Sequence, residues 1–77
     1  MNQDTTIANV KAQLMYEWDE EENDNGEIVE VKGNQLMTEA EASALIEKHK
    51  DVFESSVRMG SYAYYTANQI RSAEAKQ

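Results

Sequence analysis

The 77-residue chain has no cysteine, no proline, only three glycines and a single histidine. Without cysteine, disulfides and thiolate metal sites are excluded, which fits a reducing compartment. Without proline, nothing forces a helix to stop. The glycines stand at 26, 33 and 60, too dispersed for a phosphate-cradling loop. His49 lies between Lys48 and Lys50, with no second histidine, cysteine or Ser-Asp arrangement to partner it. The chain therefore reads as non-enzymatic and free of cofactor or metal. Residues 1–16 lack the basic start and continuous apolar run of a signal peptide. No apolar run approaches the roughly 18–20 residues that span a bilayer. A cytoplasmic location is the expectation.

Bases are scarce as well: 7 Lys and Arg stand against 15 Asp and Glu, for a formal charge of −8. The imbalance sits in one place. Residues 17–30, "EWDEEENDNGEIVE", hold eight acids and no base, and the remainder of the chain is balanced. Such a surface disfavours membranes and nucleic acid phosphates and favours a basic partner. With 40% hydrophobic residues the chain can fold. At this length it forms one domain with a small core, and a partner chain is a common supplement.

From Thr6 a two-residue alternation places Ala8, Val10, Ala12, Leu14, Tyr16 and Trp18 on one face. This is the pattern of a half-buried strand, and its persistence into Tyr16 and Trp18 outweighs the helix-forming Ala, Gln, Leu and Met of residues 5–16. Asn25-Gly26 is a hairpin signal. Val29 and Val31 then alternate with Glu30 and Lys32 as a second strand, and Gly33 and Asn34 close the hairpin. A two-residue turn, or a longer loop of the same parity with Trp18 opposite Val29, puts Trp18, Val29 and Val31 on one face. The longer loop is preferred because it frees the acids to solvent.

Thr38-Glu39-Ala40-Glu41 is a capping box opening a helix over residues 39–50, with Ala42, Leu45, Ile46 and His49 as its buried stripe. Asp51 can cap a second, long helix to residue 74. Phe53, Val57, Gly60, Tyr64, Ala67 and Ile70 or Arg71 would line its inner face, with Gly60 tolerated inside it as a point of close approach; the alternative is that Gly60 breaks the segment. The expected fold is α+β: an N-terminal antiparallel hairpin over residues 6–33, then two helices over 38–74, the second long. Residues 1–5 and 73–77 are expected to fray.

Three features bear on function. Glu21, Asn23, Asn25 and Gly26 match part of a calcium-binding EF-hand loop, but the final bidentate position is Lys32, which repels the ion. The acidic stretch itself, Glu17, Asp19, Glu20, Glu21, Glu22, Asp24, Glu27 and Glu30, is the candidate partner-binding surface. "SYAYYTA" supplies tyrosines of the kind that dominate binding hot spots. Val57, Gly60, Tyr62, Tyr64, Tyr65 and Ala67 form the candidate homodimer face.

The reading is a small acidic protein-binding module, an inhibitor or adaptor that docks its hairpin on a basic surface of a host protein complex. Phage and mobile-element inhibitors are analogous in size and charge. Direct contact with nucleic acid or membrane is not expected. Two alternatives remain. One is a DNA mimic, whose charge spacing in a single extended strand of roughly 6 Å is about twice that of one DNA strand. The other is a helix-turn-helix regulator, against which stand the few bases of residues 51–77.

Overall fold

The computed structural model describes residues 4–76. In order the elements are α1 (Ile7–Met15), β1 (Tyr16–Glu22), β2 (Ile28–Gln35), α2 (Glu39–Lys48), α3 (Lys50–Met59) and α4 (Ala63–Ala75). The overall class is α+β, but the expected order is corrected: a helix, not a strand, precedes the hairpin, and three helices follow it.

The N-terminal alternation misled because alanines carried much of it. Ala8 is exposed and Ala12 only partly buried, while Val10, Gln13 and Leu14 form the buried face at helical spacing. Thr6 caps this helix by accepting from the Asn9 amide at 3.1 Å. The chain then passes straight into β1 without a glycine cap. The helix-end carbonyls are satisfied from elsewhere instead. The Trp18 indole donates to Ala12 O at 3.0 Å, the Leu36 amide donates to Met15 O at 2.6 Å, and the Arg71 guanidinium donates to Gln13 O. Arg71 also holds Asn68 Oδ1 at 3.1 Å. Burial draws its pKa below the ordinary arginine value, and the nearby Tyr64 acts in the opposite sense.

The capping box of α2 forms as expected, with the Thr38 hydroxyl accepting from the Glu41 amide and Glu41 Oε1 accepting from the Thr38 amide, both at 3.1 Å. These bonds hold the Glu41 carboxyl below its ordinary pKa. His49 alone separates α2 from α3, and Asp51 does not cap α3 but lies in its first turn.

The expected long helix is broken. Gly60 has φ +70°, the Ser61 amide donates to Ser56 O at 3.0 Å, and the Gly60 amide donates to Val57 O at 3.2 Å. This is a Schellman motif, and it ends α3. A Cβ on Gly60 would meet nothing within 4 Å, so the glycine is present for its backbone conformation and not for close approach. The break resets the buried face. In α4 it is Ala63, Thr66, Ala67 and Ile70, while Val57 and Tyr64 are exposed.

The core is built from α1, α2 and α4: Val10, Leu14, Ala42, Ile46, Ala63, Ala67 and Ile70, with Leu45 and Phe53 packed on its margin. The N-terminal end is tied down more than expected. Asp4 forms an antiparallel bridge with Tyr62, and the Thr5 hydroxyl donates to Ser61 O. Residues 1–3 and 77, also expected to fray, lie outside the described residues. Among the described residues no helix is long and apolar enough to cross a membrane.

Candidate functional site

The hairpin register decides what the acidic segment presents. Asn23 and Gly26 close a turn, with the Gly26 amide donating to Asn23 O at 3.0 Å and Gly26 at φ +79°. Asn23 Oδ1 accepts from the Asn25 amide at 2.9 Å and from the Glu27 amide at 3.0 Å. The glycine is thus the left-handed residue ending a three-residue loop, not the second member of a two-residue turn. That one extra residue reverses the parity. Trp18 pairs with Lys32, Glu20 with Glu30 and Glu22 with Ile28, while Asp19 pairs with Val31 and Glu21 with Val29. The expected face of Trp18, Val29 and Val31 therefore does not form. A single-residue slip exchanges the two faces of a strand, so Trp18 shares its face with glutamates. At the base of the hairpin the register shifts between Tyr16 and Trp18. There a Cβ on Gly33 would stand 3.3 Å from Glu17 Cβ, so the glycine accommodates the bulge.

This register sets Glu20 directly opposite Glu30, and like charges facing each other across a strand pair are destabilising. Beside them lies a cleft of about 450 Å³, within the range of ligand sites. Trp18, Asp19, Glu20 and Glu30 line it from the hairpin, and Tyr62, Tyr64 and Tyr65 line it from the start of α4. The tyrosines lean on each other: Tyr62 and Tyr65 have centroids 6.5 Å apart at 30°, and Tyr64 meets Tyr65 edge-on at 5.5 Å. Each remains half exposed or more. Among the described residues, no Lys, Arg or His lines the cleft. Lys32 instead places its Nζ 4.4 Å from the centroid of the Tyr16 ring. Arg71 lines a neighbouring hollow of about 360 Å³ that shares Trp18, Asp19 and Tyr64 with the cleft.

Of the acids expected to dock a partner, the structure gathers Asp19, Glu20 and Glu30 at the cleft. Glu21 pairs into the other face, and Glu17 lies at the bulge. Asp24 and Glu27 belong to the exposed loop, and Glu22 stands at the end of β1. Of the residues expected at a dimer face, the three tyrosines line the cleft, Val57 is exposed on α3, Gly60 ends that helix, and Ala67 is fully buried in the chain's own core. Trp18, favoured from the sequence as a core residue with the hydrophobic anchor of the contact as the alternative, lines the cleft. Its signal was position, an aromatic where the apolar alternation enters the acidic run. The partial EF-hand loop is spent on the turn, because the Asn23 side chain binds backbone amides. Among the described residues, no three His, Asp or Glu side chains converge to hold a metal ion.

The charges of the helical body are arranged differently. Lys11 pairs with Glu39 at 3.3 Å, Lys48 with Glu74 at 3.0 Å, and the buried His49 Nε2 lies 2.8 Å from Glu74 Oε2. His49 and Lys48 together hold the Glu74 carboxyl below its ordinary pKa. Comparison of the chain with family models, curated proteins and solved structures finds no match.

Proposed function

We propose that this chain is a non-enzymatic protein-binding module that docks its acidic hairpin on a basic surface of a partner protein, in the manner of an inhibitor or adaptor. The observation that supports this reading best is the cleft, where the acidic face of the hairpin and the tyrosines of α4 form one surface. Carboxylates steer the encounter, and aromatic rings supply buried contact area once it has formed. A second copy of the chain, packed through Val57 and the tyrosines, would cover the same rings. Self-association and partner binding would then compete for one surface.

The helix-turn-helix alternative is disfavoured by charge. α3 and α4 are joined by three residues including a glycine, a suitable length for that motif. The first turn of α4, however, shares its cleft with Asp19, Glu20 and Glu30, which repel phosphate.

Capture of basic partner proteins on immobilised chain, at low and high salt, tests the proposal. The triple change Glu20→Gln, Glu21→Gln, Glu22→Gln should slow association and flatten its salt dependence. Binding that ignores both the substitutions and the salt overturns it.

A further inference from the structure

We infer that the cleft between the hairpin and α4 receives one arginine side chain, presented by the partner's basic segment. The inference rests on the docking reading and adds a specific chemistry to it. Acidity alone would accept any cation. The walls are more selective, because four of the seven lining residues are aromatic. The tyrosine rings meet at 30° and 77° and so present faces in several directions. Glu20 and Glu30 stand side by side on adjacent strands at the same wall.

A guanidinium suits this combination. It is planar and weakly hydrated, it stacks on an aromatic face, and its forked N–H groups match a carboxylate. A lysine ammonium is a compact, strongly hydrated charge and gains less from the rings. Among the described residues, Lys32 sits over Tyr16, and Arg71 donates to Gln13 O and Asn68 Oδ1. The Lys32–Tyr16 contact shows that this hairpin already uses a cation on a ring at its base. The volume, about 450 Å³, exceeds one side chain and leaves room for the peptide backbone on either side of it.

The chain's single tryptophan is a built-in probe, since Trp18 lines the cleft. Its fluorescence is titrated at low salt with three blocked peptides of equal length and charge, carrying arginine, lysine or trimethyllysine in a Gly-Ser background. The arginine peptide is expected to bind about tenfold more tightly than the lysine peptide. Tyr65→Ala and Glu20→Gln should each abolish that preference with far-UV circular dichroism unchanged. Tyr65→Leu, which keeps bulk without a π face, replaces Tyr65→Ala if the latter fails to fold. Glu21→Gln, on the other face of β1, should weaken both peptides alike. Equal affinity for arginine and lysine, or a preference that survives both variants, overturns the arginine cleft and leaves charge docking standing. Tightest binding of trimethyllysine overturns it in favour of a quaternary-ammonium cage. Failure of every basic peptide to bind overturns the docking reading as well.

Discussion

The helical body and the hairpin arm use their apolar residues in opposite ways. In the body, Val10, Leu14 and Ile70 are fully buried, and Lys11 with Glu39 and Lys48 with Glu74 pair between helices. In the arm, Ile28, Val29 and Val31 are 64%, 38% and 36% exposed, and Glu20 stands opposite Glu30. A two-stranded ribbon has little independent stability in water. The arm is therefore held by what ties it to the body, chiefly Trp18 and the Leu36 amide on the end of α1. Stability is concentrated in one region and binding chemistry in the other, and substitutions should separate them.

The largest separation should come from Ile70→Ala against Val31→Ala. Ile70 is 0% exposed at the centre of the core, and its truncation should cost about 2–5 kcal/mol. A small domain has about 5–15 kcal/mol in total, so this change should lower the urea midpoint sharply or abolish folding. Val31→Ala, on a ribbon with no second layer, should stay within about 0.5 kcal/mol. Similar urea midpoints for the two variants would break the contrast.

Trp18 lies on the boundary and should give an intermediate result. It is partly buried, not a core residue as its place in the alternation suggested. Trp18→Phe keeps a ring in the cleft wall and removes the bond to Ala12 O. The cost should be about 1 kcal/mol, seen in urea unfolding, with faster amide exchange in β1 than in α4. Uniform exchange would mean that the arm is not tethered there.

At Gly60 the expected cost is again about 1 kcal/mol for Gly60→Ala, because a Cβ is strained at φ +70°. The surrounding space is open, so Gly60→Leu should cost little more. A much larger loss for Leu in thermal unfolding would restore the close-approach role that the structure withdraws.

Acid should act on the body through Glu74 and Glu41. Both carboxyls are held below their ordinary value of 4.5, by His49 and Lys48 in one case and by Thr38 in the other. A depressed folded pKa contributes stability that is fully present above the unfolded value and fades as pH falls through the folded one. Stability of the wild type should therefore decline as pH drops below about 4.5. Glu74→Gln should flatten that decline, as read by urea midpoints along a pH series. An unchanged slope would remove the Glu74 cluster as its source.

What was legible in the sequence follows from how local each signal is. The Thr38–Glu41 capping box and the stripe of α2 depend on neighbours three and four residues apart, and they form as expected. The N-terminal helix was missed because Val10 and Leu14, four apart, satisfy both the strand and the helix period. The residues between them broke the tie wrongly. The break at Gly60 was not favoured because a mid-helix glycine and a Schellman glycine look alike until φ is known. The cleft could not be read at all. It depends on a loop one residue longer than the two-residue turn and on the break at Gly60, each of which changes which side chains share a face.

The finest test addresses that loop. Asn23 Oδ1 holds the amides of Asn25 and Glu27 and so favours the three-residue loop over the two-residue Asn25-Gly26 turn. Asn23→Ala removes both bonds, at a cost to global stability of about 1 kcal/mol or less, since the site is solvent-exposed. The register should respond even where the unfolding curve barely moves. A two-sided, mostly polar ribbon specifies its pairing weakly. In the shifted register Asp24 would meet Glu27, and the valines would join the face of Trp18. Cross-strand nuclear Overhauser contacts between Glu21 and Val29, partners in the wild type, should weaken. Contacts between Glu22 and Val29 should appear in their place. Arginine selectivity at the cleft should fall with them, because Glu30 would leave the wall. If the contacts shift and selectivity persists, the aromatic rings alone carry the recognition. If the contacts do not shift, the register is set by the bulge at Gly33 and not by the loop.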